Sequence, residues 1–236
     1  MLHPFIREEM ALGSDALEKL KNAHVAVFGI GGVGSYTAEA LARAGVGSLT
    51  LVDNDTVSVS NINRQLCALH STLGKFKAEA MADRIRDINP ECSVRSVCAL
   101  YTEEDKERFF DVPYHYIADC IDLVSCKLSL ILNARQRGIP TISALGTGNK
   151  LDPSQFSITD ISKTSGCPLA RVIRKELRAR NVLHHMVLFS PEEPLTPIAL
   201  EAPPPGRRSI PASVSWVPSV AGLMIAGHII LELTKE

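Results

Sequence analysis

The chain has 236 residues, 45% of them apolar and 22% charged, with 25 basic against 26 acidic side chains and a net charge of −1. That length suits one elaborated domain around a sizeable core, and the composition excludes a collagenous, coiled-coil or largely disordered chain. Charge this evenly balanced sets up no global field for nucleic acid or a membrane surface, so any such partner requires a local patch.

Residues 1–23 read as an N-terminal helical arm, with Ser14 as the N-cap of a helix carrying Ala16, Leu17 and Leu20. A β-rich run from His24 to Phe28 ends in Gly29, an Ala-rich helical stretch runs to Ala44 and Gly45, and Leu49 to Val52 forms a second strand ending at Asp53. That is a βαβ unit. The spacing predicts a helix over Lys75–Ile88, stopped by Asn89-Pro90, then strands at Val94–Val97 and Tyr114–Ala118, a helix from Leu123 to Arg137 and a fifth strand at Pro140–Ala144. Such alternation requires a parallel sheet covered on both faces. Beyond it come a strand at Phe156–Thr159, a basic helix from about Pro168 to Arg180, a proline-rich loop from Pro191 to Pro211 and an apolar closing helix. The predicted fold is therefore α/β, a Rossmann-like, doubly wound, mainly parallel sheet, with a nucleotide-binding core at 24–150 and a substrate-side part at 151–236.

The six cysteines, at 67, 92, 98, 120, 126 and 167, form no CxxC pair, and the first residues show no basic-then-apolar leader. A reduced, cytoplasmic setting without disulfides or structural zinc is the expectation. The stretch from Ser209 to Leu231 has no Asp, Glu, Lys or Arg, but its prolines and serines favour a buried helix over a membrane span; peripheral membrane contact is the lesser alternative.

Gly29-Ile30-Gly31-Gly32-Val33-Gly34 joins strand to helix, where glycines allow a tight turn and bring backbone N–H groups near a phosphate chain. Asp53, at the end of the next strand, is placed to accept hydrogen bonds from ribose hydroxyls. A triphosphate under attack needs more than a dinucleotide does: cations and a metal to hold the extra charge. Asn61 and Arg64 follow the ribose acid closely, Lys75 and Lys77 open the next helix, and Asp119 and Asp122 stand where open parallel sheets bind ligands, one of them suited to Mg²⁺. Asp122 is also placed to cap the helix near Leu123.

These residues resemble the ThiF/MoeB family, the homologues of ubiquitin-activating enzymes. GIGGVG at 29–34, LTLVDNDTVSVSNINRQ at 49–65, GKFK at 74–77, INPE at 88–91 and DCID at 119–122 carry the likeness over the first 150 residues or so. The resemblance implies ATP at Gly29, Gly31, Gly32 and Gly34, with Asp53 on the ribose, Asn61, Arg64 and Lys77 on the phosphates, and Mg²⁺ at Asp122. It also implies a homodimer in which Arg7 reaches the neighbour's ATP. The segment from Leu151 to Val182 and the closing helix are similar to the branch of tRNA threonylcarbamoyladenosine dehydratases (TcdA, CsdL). That branch adenylates the threonyl carboxylate of N6-threonylcarbamoyladenosine in tRNA and cyclises it, and sulfur-relay proteins are further partners it suggests. The alternative is an adenylating activator of a ubiquitin-like or sulfur-carrier protein, served by the same ATP residues.

For tRNA, residues 160–180 hold six basic against two acidic side chains, and Arg171, Arg174, Lys175 and Arg178 fall on one helical face. A solvated helix face with Glu176 as an internal partner explains the same run, and Arg207 and Arg208 either extend the patch or solubilise the loop. Cys167, before Pro168, reads as a packed thiol rather than a nucleophile, because an intramolecular cyclisation needs no thioester.

Overall fold

The structure is a computed structural model that describes residues 3–200 and 210–235. Arg207 and Arg208 lie outside the described residues. Seven strands form one sheet in the order β3-β2-β1-β4-β5-β7-β6: β1 (His24–Phe28), β2 (Ser48–Val52), β3 (Ser93–Val97), β4 (Tyr116–Asp119), β5 (Thr141–Ala144), β6 (Ser157–Asp160) and β7 (Met186–Phe189). All neighbours are parallel except β6, which runs antiparallel to β7. The strand order reverses between β1 and β4, where Phe28 lies opposite Asp119, so the crevice of this open sheet falls at their carboxyl ends.

The alternation along β1 explains its unbroken apolar run. Val25 and Val27 face a core built with α3 (Gly34–Arg43), α4 (Lys77–Ile88) and α7 (Trp216–Thr234), whereas Ala26 and Phe28 face α5 (Val124–Gln136). A third cluster joins α5 to α6 (Pro168–Ala179) through Leu128, Ile131, Ile173 and Leu177. The closing helix lies against α3 so closely that a Cβ on Gly222 would come within 2.4 Å of the Val33 carbonyl. Val217, Ile225 and Ile229 are fully or almost fully buried there, contributing roughly 1.5–3 kcal/mol each, while Trp216, Leu223 and Leu231 stay half-exposed. Pro218 is tolerated because it sits in the helix's first turn, where backbone N–H groups have no partner within the helix.

Two local expectations are corrected. The arm is a pair of helices, α1 (Ile6–Leu12) and α2 (Ser14–Lys21), and the N-cap of α2 is Gly13; Ser14 instead donates to Glu9 Oε1 at 2.7 Å. The four-residue β7, absent from the predicted elements, inserts between β5 and β6.

Candidate active site

A cavity of about 670 Å³ opens at the carboxyl ends of β1 and β4. The turn after β1 forms its floor. Gly29 has φ +87° and a Cβ there would lie 2.7 Å from the Cys120 carbonyl oxygen, while one on Gly34 would lie 1.8 Å from the Gly29 oxygen. Those glycines are demanded by the protein's own packing. Gly32 is pressed on by Pro218 at 3.0 Å, but a Cβ on Gly31 would meet only Gln65 Nε2, at 3.9 Å. Gly31 therefore leaves open the room that a ligand would fill. Gly29, Gly31 and Gly32 line the cavity; Gly34 lies beneath it, where its missing side chain lets α3 approach the turn.

The acid and the lysine are brought together by pairing between residues 55–57 and 74–77, where Val57 donates to the Lys75 carbonyl and Lys77 to that of Asp55. Asp53 Oδ2 accepts from Ile30 N at 2.6 Å and Oδ1 from Asp55 N at 2.8 Å, which ties the ribose-side acid to the glycine turn and leaves lone pairs for further donors. Burial raises the Asp53 pKa, while those amides and Lys77 pull it back. Lys77 is 5% exposed, and its Nζ lies 2.7 Å from Asp55 Oδ2; Lys75 points to solvent.

A 3₁₀ turn at Val59–Asn61 presents the next two groups. Asn61 is buried and uses its Oδ1 to accept from Ser58 N, leaving its Nδ2 without an acceptor among the described residues. Arg64 is half-buried and held by the Ser60 carbonyl at 2.7 Å and Asn63 Oδ1 at 3.0 Å. Burial pushes its guanidinium pKa down, and the charge of Asp122 acts in the opposite sense. Asp122 also lines the cavity and does not cap α5, whose N-cap is Leu123.

Gln65 was missed as a site residue although it stands within the quoted segment. It is 7% exposed, it lines the cavity, and its Oε1 is a buried acceptor without a partner among the described residues. An unpaired buried polar atom is costly, so Gln65 is a candidate ligand contact. The opposite wall, Gly146–Gly148 and Pro211–Ser213, was also illegible as such. Asn149 stitches its two halves, exchanging a backbone donor and a side-chain acceptor with Ala212 at 2.8 and 2.7 Å.

Other expectations are revised. Asp119 is withdrawn from the cavity: fully buried, it is held by Lys127 Nζ at 2.8 Å and Ser143 Oγ at 2.6 Å. Arg171, Lys175 and Arg178 are exposed on α6, but Arg174 donates to the Thr164 carbonyl and hydroxyl, so its head group is committed within the protein. Cys167 is 3% exposed, accepts from Ala170 N at 3.5 Å as the N-cap of α6, and lies beneath Gly146. Arg7 is exposed on α1 and is not among the residues lining this cavity.

Behind the cavity, His185 Nε2 lies 2.8 Å from Ser143 Oγ. Desolvation brings its pKa down to about 3; Lys127 and Arg135 push the same way and Asp160 opposes them. The unfolded chain takes up a proton near pH 6.5 that the folded one refuses, so stability is full above that pH and falls as pH drops toward 3. Between pH 7 and 5 the loss from this group should be about 1–2 kcal/mol. Denaturant midpoints at the two pH values should show it, with a smaller drop in His185→Gln.

An open, mainly parallel sheet with a glycine turn, a strand-end acid and two cations at its switch point defines a nucleotide-binding α/β protein. The chain belongs to the ThiF family, whose model matches residues 6–236. It is 46% identical, over its full length and 96% of the relative's, to the tRNA threonylcarbamoyladenosine dehydratase of Bacillus subtilis. It superposes with a TM-score of 0.88 and 36% identity on the crystal structure of the Escherichia coli enzyme of that name in complex with ATP, covering 98% of this chain and 93% of that one. The same enzyme in complex with AMP matches with the same score and coverage.

Proposed function

We propose that the chain uses ATP to dehydrate N6-threonylcarbamoyladenosine in tRNA to its cyclic form. The observation that carries this reading is the convergence of Asp53, Asn61, Arg64, Lys77 and Asp122 on one cavity, in a chain similar along its whole length to enzymes of that name.

A carboxylate is a poor electrophile because oxide would have to leave. Attack of the threonyl carboxylate on the α-phosphate of ATP forms a carboxyl–phosphate bond and releases pyrophosphate. The carbamoyl group then closes on the activated carbonyl and AMP departs with the carboxylate oxygen, so the nucleoside loses one water in net. Asp53 holds the ribose, the turn at Gly31 makes room for the phosphates, and Asn61, Arg64 and Lys77 donate to oxygens on which charge accumulates. Mg²⁺ fits Asp122, a hard oxygen donor at the cavity, and when bound it would neutralise charge on the leaving pyrophosphate. No group of three or more His, Cys, Asp or Glu among the described residues suits a metal, so the ion would share the oxygens of the nucleotide. In a homodimer, Arg7 would serve the partner's site.

The deciding experiment incubates the protein with ATP, Mg²⁺ and modified tRNA and weighs the nucleoside. Loss of one water mass with AMP release supports the reading; adenylation of a Gly-Gly carrier protein without mass loss refutes it.

The tRNA side would be α6, whose Leu169 lines the cavity while Arg171, Lys175 and Arg178 face solvent. Changing these three to alanine should lower the magnitude of the slope of log affinity against log salt by about 2 to 3, since each phosphate contact contributes roughly 0.7–0.9. Arg174→Ala should leave the slope unchanged and cost stability, because it frees the buried Thr164 carbonyl.

A further inference from the structure

A fully buried ion pair sits directly behind the cavity, and the reaction described above does not use it. Asp119, at the end of β4, and Lys127, in α5, are both 0% exposed, with Nζ to Oδ2 at 2.8 Å. Taking two charges out of water is rarely repaid in stability compared with apolar side chains of the same size, so geometry has to account for the pair. Every oxygen of Asp119 is occupied. Oδ2 also accepts from Ser143 Oγ at 2.6 Å, Oδ1 accepts from Ile121 N at 3.1 Å, and the main-chain oxygen lies 3.4 Å from Lys127 Nζ. Because Ser143 spends its single proton on Asp119, His185 Nε2 must be the donor to Ser143 Oγ, which extends the chain to β7.

The segment so braced is Cys120-Ile121-Asp122-Leu123, all four of which line the cavity. It is closed from both ends, since Lys127 N also donates to the Leu123 carbonyl at 2.9 Å. Its Cys120 carbonyl stands where a Cβ of Gly29 would be, at 2.7 Å, and Cys120 N donates to Phe28 O at 2.8 Å. A shift of this segment therefore runs against the phosphate turn.

We propose that Asp119, held by Lys127 and Ser143, is a positioning residue: by accepting the Ile121 N–H it fixes the loop that aims Asp122 into the cavity beside Arg64. The carboxylate matters here as a fixed acceptor, and the lysine as what holds it in place. The part of this that concerns metal rests on the reading of Asp122 given above; the part that concerns the loop does not.

Two paired variants test it. Asp119→Ala/Lys127→Met removes both charges together and leaves the Ile121 N–H unpaired, whereas Asp119→Asn/Lys127→Met returns an acceptor without charge. In the nucleotide-free protein, hydrogen exchange at the Ile121 amide should quicken about tenfold in the alanine pair relative to the amides of β4, and return most of the way in the asparagine pair. Binding of Mn²⁺ in the presence of a non-hydrolysable ATP analogue should weaken about 10- to 100-fold and recover in parallel, as it does when a ligand's support is removed. Unchanged exchange and Mn²⁺ affinity in the alanine pair, or an asparagine pair as impaired as the alanine one, overturns the proposal. Should the alanine pair fail to fold, Ser143→Ala leaves the ion pair in place and must still quicken Ile121 exchange severalfold; wild-type exchange there overturns it too. If exchange and Mn²⁺ respond as expected while even the wild type leaves the modified nucleoside intact, the assigned substrate is at fault and the bracing stands.

Discussion

Arg64→Ala and Lys77→Met should each lower AMP release by on the order of 10² or more, because in the proposed reaction each removes a cation from the place where pyrophosphate charge builds. The fold should survive both. The Lys77–Asp55 pair has one partner 60% exposed, so its share of stability is within about 1 kcal/mol, and methionine retains most of the buried stem. Among the described residues, Arg64 hydrogen-bonds to the Ser60 carbonyl and Asn63 Oδ1, both within its own turn. The expected result is thus a collapse of turnover with an almost unmoved denaturation midpoint, measured on the same samples. A nicotinamide-binding site would predict the reverse, indifference to Arg64→Ala, and that outcome would remove the basis of the proposed chemistry. Loss of turnover in step with loss of structure would instead mean that these side chains hold the cavity together.

The glycine turn allows a sharper separation of stability from binding. Gly34→Ala places a Cβ 1.8 Å from the Gly29 carbonyl oxygen, backbone against backbone, with no flexible side chain to give way. A clash of that kind should destabilise the chain by several kcal/mol, above the usual overpacking cost of about 1–3 kcal/mol, and a large share of the protein should be unfolded at 37 °C. Gly31→Ala meets nothing closer than Gln65 Nε2 at 3.9 Å, so its stability should change by less than about 1 kcal/mol. Its added methyl group nevertheless enters the space assigned to the phosphates, and ATP affinity by calorimetry should fall at least tenfold. If Gly31→Ala binds ATP as the wild type does, the phosphate chain lies elsewhere in the cavity.

Lys77 illustrates what could be read without coordinates. The order of glycine turn, strand-end acid, Asn-Arg segment and lysine-opened helix is local and periodic, and each piece signals its own place at the carboxyl edge of a parallel sheet. The resemblance points to Lys77 rather than Lys75; in the structure Lys75 is exposed, while Lys77, the first residue of α4, is buried against Asp55. Asp119 was the harder case. Both carboxylates of Asp119-Cys-Ile-Asp122 stand at the same strand end, but strand geometry turns the first into the layer beneath α5, where Lys127 awaits it eight residues later.

Period and punctuation were enough to specify the alternating core, the glycine turn and the basic helix, because those depend on neighbours within a few residues. Four features needed the assembled chain: the Asp119–Lys127 pair, the wall joining Gly148 to Pro211, the orphaned Oε1 of Gln65, and the loss of Arg174 from the basic face to Thr164. Each depends on which side chains meet once the elements have packed against one another, and such meetings leave no trace in the periodicity of either segment.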